Sequence, residues 1–378
     1  KIETVVSNFK LRLRMRINLD SQIFAYQSNG GISRYFLNLL EQASKVQGIS
    51  MTISPSPFFT RCVPTGPLYG STAIHIPHNR ISFFADSINR EILGFTKVPD
   101  LYHSTYYDGK YLRLLKRAKH VMTVHDMIPE DYPQYFPVNP HKAKAEYLQA
   151  ASHIICVSEF TRERLLHYHP DLQEKTSVIH HGVDDFWNQN PPNPVKQQNS
   201  IFRIVFIGRR DNYKNFGVLI EAVGLLHEAG IGVEVIALGG SSWTNKERER
   251  LEELRINANF HQRKVSDLEM RQEMNRSDLF VSTSLSEGFG LPILEAMSSG
   301  LPTLLSDIPV SREIAGDSSL YFSPKSAEDL ARNIMNLVHN PTLLKPFKVS
   351  TSKLALEYSW KTTFLKTFEV YEKILHSM

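Results

Sequence analysis

Short apolar runs of strand length alternate with helical segments along the whole chain, and one polar, proline-rich stretch divides that alternation in two. The first series has strand candidates at Met15–Asp20, Met51–Ile53, Asp100–His103, His120–Val124, His153–Val157 and Ser177–Ile179. Its helical candidates are Lys110–Ala118, His141–Ala151 and Phe160–His167, the last with Ser158 as its N-cap. The second series places strands at Phe202–Ile207, Val233–Leu238, Leu279–Ser282 and Thr303–Ser306 among helices at Phe216–Ala229, Lys246–Arg255 and Leu268–Asn275. The divider is Asn188-Gln-Asn-Pro-Pro-Asn-Pro-Val-Lys-Gln-Gln-Asn199, which has linker composition. Strand–helix alternation argues for parallel, doubly wound sheets, and 378 residues are many for one core. The expectation is an α/β protein of two Rossmann-like domains facing across a cleft: 15–187, a linker at 188–199, and 200–357. The amphipathic segment at about 358–378 is expected to pack back on the first domain.

Charge narrows the partners. A net charge of +4 and a pI near 8.8 suit an anionic ligand or a lipid surface and are too weak to argue for nucleic acid. Cys62 and Cys156 lie far apart, so a disulfide framework is not expected and a reducing cytoplasm is the default. No run of about 18 apolar residues occurs, and no secretory pattern is visible. Residues 1–14 read as an extension ahead of Met15, a poorly ordered arm rather than a basic lipid contact. Lys110, Arg113, Lys116, Arg117 and Lys119 interleave with Tyr111, Leu112, Leu114 and Leu115. This stretch fits a surface helix packed by its leucines, with peripheral contact to an anionic membrane as the competing reading.

Candidate chemistry gathers in four places. In Ser284-Leu-Ser-Glu-Gly-Phe-Gly-Leu-Pro-Ile-Leu-Glu-Ala-Met-Ser-Ser-Gly-Leu-Pro-Thr303, seven residues separate Glu287 from Glu295. Eight helical steps turn the second carboxylate about 80° from the first, so a loop that becomes a helix fits better than one helix face. Pro292 suits the first helical position, Glu295 the first turn, and Glu287 a glycine-permitted loop. Such a helix start offers N–H groups to an anionic or hydroxyl-rich ligand, although the spacing alone equally fits a capped helix with two solvated glutamates. In Gly208-Arg-Arg-Asp-Asn-Tyr-Lys-Asn215, Arg209 and Lys214 flank a turn at a strand's carboxyl end, where cations could neutralise a diphosphate. Met122-Thr-Val-His-Asp126 sets His125 at the same kind of edge, to serve as a donor or as a structural hydrogen-bonder. Gly30-Gly31 opens a helix after the first strand without the three-glycine dinucleotide pattern. No Asp-x-Asp, Cys-x-x-Cys or His-Glu-x-x-His occurs, and adjacent His180 and His181 point to opposite faces if extended, so no metal is expected.

The order of these motifs resembles a known family. Gly30-Gly-Ile-Ser-Arg-Tyr35, Thr123-Val-His-Asp126, Val157-Ser-Glu-Phe-Thr161, His181-Gly-Val-Asp184 and Gly208-Arg209 with Lys214-Asn215 occur in sequence. Val265-Ser-Asp267, Glu287-Gly-Phe-Gly-Leu-Pro-Ile-Leu-Glu-Ala-Met297 and Arg312-Glu-Ile-Ala-Gly-Asp317 follow. From Met15 onward the chain is similar to retaining glycosyltransferases of the GT-B fold, glycosyltransferase family 4 (glycosyl transferases group 1). The resemblance implies that Glu295 holds the donor ribose and that Glu287 lies beside the transferred sugar. It implies that Gly288, Phe289, Gly290 and Leu291 offer amides to sugar hydroxyls, and that Arg209 and Lys214 bind the diphosphate. It further implies that His125 contacts the donor sugar and that Gly30 and Gly31 approach phosphate and acceptor. Val265 falls where the family's backbone meets the base, but Gln262-Arg-Lys264 stands where the family often has a glycine.

The implied activity is metal-independent, cofactor-free transfer of a hexose from a nucleotide-diphosphate sugar to a glycan or lipid-linked acceptor in surface-polysaccharide synthesis. UDP-glucose is the expected donor, with GDP-mannose next, and no residue of the sequence decides uracil against guanine. The competing readings are a nucleotide-sugar 2-epimerase of the same architecture and a sugar-nucleotide-binding protein without turnover. The expected location is cytoplasmic, with peripheral contact at the membrane's inner face as the competing reading.

Overall fold

The structure, a computed structural model, describes residues 15–27, 30–54, 58–59, 74–75, 80–95, 97–115, 117–188 and 201–376. The extension 1–14, Lys116 and the proline-rich segment from 189 to 199 lie outside the described residues. The chain separates into two compact units. One takes in the chain to Pro129, then Phe136–Gly182 and the stretch from Trp360; the other comprises Glu130–Tyr135 and Val183–Ser359.

In the first unit the strands are β1 (Met15–Leu19), β2 (Ile49–Ile53), β3 (Phe58–Phe59), β4 (Ile74–His75), β5 (Leu101–Ser104), β6 (Lys119–Val124), β7 (His153–Cys156) and β8 (Thr176–Val178). Six of them form one sheet in the order β2-β1-β5-β6-β7-β8, while β3 and β4 pair separately. Every ladder is parallel, with Ile17 opposite Met51 on one side and Leu101 on the other. Strands β5 and β7 are buried along their whole length, as parallel strands covered on both faces are, and their polar residues His103, Ser104 and His153 are hydrogen-bonded to Thr123, His120 and Ser177. The helix Gly31–Ser44 buries Tyr35, Phe36, Leu39 and Leu40. The helix Trp360–His376 packs against it and against β6 and β7. That last helix is tied in by Tyr371, whose hydroxyl lies 2.5 Å from His103 Nδ1, and by Thr363, whose hydroxyl donates to the His180 carbonyl. In the basic stretch, the helix Gly109–Leu115 buries Tyr111, Leu112 and Leu115 and leaves Lys110 and Arg113 exposed.

The second unit has β9 (Phe202–Ile207), β10 (Val233–Leu238), β11 (Phe260–Arg263), β12 (Leu279–Ser282), β13 (Thr303–Ser306) and β14 (Leu320–Phe322). They form one parallel sheet in the order β11-β10-β9-β12-β13-β14. Its core joins Ile204, Phe206 and Val235 of the sheet to Leu219 and Val223 of the helix Gly217–Glu228 and to Leu330 and Ile334 of the helix Ala327–His339. The chain runs from β9 outward to β11, then returns to the other side of β9 as β12. The carboxyl ends of β9 and β12 therefore flank the topological switch point, where open α/β sheets leave a crevice. The units divide between Gly182 and Val183, and Val183 bridges to Ser359. Two parallel six-stranded sheets in an α/β chain are the architecture of the GT-B fold.

Candidate functional site

The second unit's switch point is built by two loops. The loop after β9 runs through Arg209 and Arg210 into a short turn at Asn212–Lys214, closed by Asn215 in the left-handed region. Asn215 anchors the turn by donating its side-chain amide to the Pro324 carbonyl at 2.7 Å. The loop after β12 lies across it. Leu285 N–H donates to Tyr213 O and the Thr283 hydroxyl donates to Lys214 O, both at 2.7 Å. These bonds bring Lys214 and Glu287, 73 residues apart in sequence, to an Nζ–Oε1 distance of 2.5 Å. The Ser284 hydroxyl donates to the same Glu287 oxygen at 2.7 Å. Less than a fifth of either charged side chain is exposed, so the pair is weakly screened. One ammonium proton is engaged by Glu287, and two further donors project from the same nitrogen.

The helix start is one residue earlier than the sequence suggests. Gly290 is the N-cap, at φ +94°, and the helix spans Leu291–Ser298. Pro292 therefore occupies the second helical position, and Glu295 lies beyond the first turn, contrary to the sequence expectation. Proline is tolerated there because the first-turn N–H groups have no intrahelical partner. Gly290 also has a spatial reason: a Cβ would lie 3.0 Å from Ile293 Cδ1. Glu295 is 4% exposed, so it is not the solvated glutamate of a plain capped helix.

The other cations of this loop differ sharply. Arg209 is exposed and forms a two-pronged ion pair with Asp211 at 2.6 and 3.0 Å. That contact raises the guanidinium's pKa and helps to hold the carboxyl's below its usual range. Arg210, which sequence reasoning passed over, is buried. It binds Glu247 at 2.8 Å and the Ser241 carbonyl at 2.7 Å, and it lies 4.5 Å over the Trp243 ring. It thereby ties the loop after β10 to the loop after β9. Gly240 sits under this contact at φ +68°, where a Cβ would meet Arg210 Nη1 at 3.0 Å. Val265, half-buried, follows β11 just ahead of Ser266, which caps the helix Asp267–Arg276 in a capping box with Glu269. Of the residues that replace the expected glycine, Gln262 donates to the Gly239 carbonyl at 3.2 Å and Arg263 pairs with Glu273 at 2.9 Å.

His125, Gly30 and Gly31 lie in the first unit. Gly30 is the N-cap of the helix Gly31–Ser44, and the Gln27 carboxamide folds over it to accept from Ser33 N–H at 3.3 Å. A Cβ at Gly30 would meet that carboxamide. His125 follows β6. Its ring meets Tyr35 edge-on with centroids 5.3 Å apart and lies beside His181 at 5.8 Å. Its Nε2 is closed off from solvent and has no hydrogen-bond partner among the described residues. Burial, with repulsion from His103, His141 and Lys144, pushes its pKa down to about 3, so the ring is neutral near pH 7. Asp20 was not singled out from sequence. It sits buried where the carboxyl ends of β1 and β5 meet, accepting from the Thr105 hydroxyl at 2.5 Å and from Thr105 and Gln22 N–H at 3.1 Å. Burial raises its pKa to about 7. Among the described residues, no group of three or more His, Cys, Asp or Glu side chains is placed to hold a metal ion.

Comparison with known proteins agrees with this architecture. Residues 29–185 match the family model for Glycosyltransferase Family 4, and residues 189–353 match that for Glycosyl transferases group 1. An O-antigen chain mannosyltransferase B of Escherichia coli is 26% identical over 72% of this chain and 75% of its own length. The O-antigen chain mannosyltransferase RfbU of Salmonella typhimurium is 25% identical over 60% of this chain and 63% of its own length. The crystal structure of Anabaena Alr3699/HepE in complex with UDP-glucose superposes with a TM-score of 0.70 at 17% identity, covering 95% of this chain and all of that one. The chain belongs to the GT-B glycosyltransferases of the group 1 and family 4 type.

Proposed function

We propose that this glycosyltransferase moves a hexose from a nucleotide-diphosphate sugar to a sugar acceptor, glycan or lipid-linked, of a surface polysaccharide, with retention and without a metal. The observation that carries this reading is the Lys214–Glu287–Ser284 cluster at the second unit's switch point, beside a helix start. Cleavage of a sugar–diphosphate bond builds oxocarbenium-like charge on the sugar and negative charge on the leaving group. Lys214, already oriented by Glu287, is the cation for that leaving group, and Arg209 adds a second by exchanging Asp211 for a phosphate oxygen. The start of the helix Leu291–Ser298 supplies the field for an anion. Glu287 serves the sugar end and buried Glu295 the ribose end, so they are two separate holds and not an acid–base pair. Gly288, Phe289, Gly290 and Leu291 follow the sugar, and Val265 the base. Gly30, Gly31 and neutral His125 are the first unit's contribution to turnover.

Two donors remain in competition. The sequence reading places UDP-glucose first; the mannosyltransferase names of relatives support GDP-mannose. Acceptor and pathway rest on the same O-antigen names. A thermal-shift screen of UDP-, GDP- and ADP-sugars identifies the donor: at 100 times its Kd a true donor adds about 2.7 kcal/mol. Product NMR then reads the anomeric centre, and an inverted product would overturn retention. Activity unchanged by EDTA is the expected outcome for a metal-free reaction. Peripheral membrane contact through exposed Lys110 and Arg113 is tested by liposome co-sedimentation, which charge reversal at both should abolish.

A further inference from the structure

A lysine at the first turn of a helix, deep in a domain, is doubly unfavourable. The positive end of the helix dipole opposes its charge, and burial strips its hydration. Lys144 is such a residue. It opens the helix Lys144–Ala150 and is 2% exposed. Its ammonium donates to the Asp126 carbonyl at 2.9 Å, lies 3.6 Å from Met127 Sδ and stands 5.5 Å over the Tyr107 ring. Tyr107 in turn donates its hydroxyl to the Thr123 carbonyl at 2.9 Å. The chain is thus braced on both sides of His125: two residues before it by Tyr107, and one residue after it by Lys144.

We propose that Lys144 is a positioning residue for His125, fixing the backbone beyond it so that the ring is presented in one orientation. The inference rests on the reading of His125 as a participant in turnover. The groups facing the ring fit a neutral hydrogen-bonding role. Tyr35 and Phe36 come from the helix Gly31–Ser44, His103 from β5 and His181 from the segment after β8. Asp126 is the adjacent residue, and its carboxylate is engaged by Ile128 N–H at 3.0 Å. His141 and Lys144 complete the surroundings; burial is the main cause that depresses the pKa of both His125 and His141, and Lys144's charge adds to it. A neutral ring can bond a sugar hydroxyl without placing a cation beside a sugar that is itself becoming positive.

The test compares Lys144→Met, His125→Ala and the double variant, following nucleoside diphosphate release from UDP-glucose and GDP-mannose. Misplacing a group by about 1 Å can cost on the order of 100-fold. Lys144→Met is expected to lower kcat by about that factor with donor KM nearly unchanged. In the His125→Ala background the same change should cost less than about twofold. Equal losses in both backgrounds, or no loss in the wild-type background, overturn the proposal while leaving His125's role intact. Full turnover by His125→Ala overturns the reading of His125 and the proposal with it. A readout independent of activity is the ring signals of His125 in 15N-histidine NMR spectra. They should move in Lys144→Met, and unmoved signals overturn the proposal. If Lys144→Met does not fold, Tyr107→Phe, which removes the hydroxyl bonded to the Thr123 carbonyl, must show the same dependence on His125 or the bracing account fails.

Discussion

At the residue scale the pairing of Lys214 with Glu287 determines what each can do. A carboxylate bonded to an ammonium and a hydroxyl on one oxygen is a poor nucleophile and a good anchor, while the ammonium keeps two donors for other partners. Lys214→Met should lower turnover by about 100- to 1,000-fold, as loss of one preorganised donor to developing charge does elsewhere. Steady-state release of nucleoside diphosphate measures it, and a loss under tenfold would remove Lys214 from the charge-stabilising role. Gly290 answers to a different constraint. Gly290→Ala forces a side chain into the left-handed region, at a cost of about 1–2 kcal/mol, and adds the contact with Ile293. Thermal melting should register the cost, and donor binding should weaken with it.

At the element scale, the loops that matter are joined by side chains that no local pattern reveals. Arg210 holds the Gly239–Trp243 loop against the β9 loop through Glu247, the Ser241 carbonyl and the Trp243 ring. Arg210→Met should leave Glu247 without its guanidinium and lower second-unit stability by about 3 kcal/mol or more, read by denaturant melts; a change under 0.5 kcal/mol would show the tie to be dispensable. The interior strands β9, β10, β12 and β13 are legible from sequence to the residue, because burial leaves mostly apolar runs, interrupted in β9 and β10 by the paired Arg203 and Glu234. The edge strands β11 and β14 are not: three of the four residues of Phe260-His-Gln-Arg263 are polar and Leu320–Phe322 is three residues long. Motif order placed Lys214 and Glu287 near one ligand, but their direct contact depends on the return of the chain to β12, a long-range event. Arg210 was hidden because an arginine beside an arginine reads as solvated. Asp20 was hidden because a carboxyl at a strand end reads the same way.

At the scale of the whole molecule, ionisation divides unevenly. His103, His120, His125, His141, His153 and His181 all lie in the first unit, and burial depresses each one's pKa. The unfolded chain binds those protons below about pH 6.5 and the folded unit does not, so stability is lost as pH falls from there. Each proton of difference contributes about 1.4 kcal/mol per pH unit. Asp20 acts oppositely: its raised pKa stabilises the folded unit at low pH and that contribution is lost as pH rises to about 7. Six depressed bases outweigh one raised acid, so calorimetry should show the first unit's transition falling between pH 6.5 and 5. A first-unit transition that stays level across that interval would contradict the burial of these rings. Connectivity adds a consequence in time. The first unit holds both the chain's opening strands and its last helix, and the stretch Val183–Ser359 is spliced between them. During synthesis the second sheet emerges whole while the first still lacks Trp360–His376. His103 must wait for Tyr371, 268 residues downstream. Until then the unfinished first unit leaves uncovered the apolar surface that Trp360–His376 packs on, and the domain begun first is the one completed last.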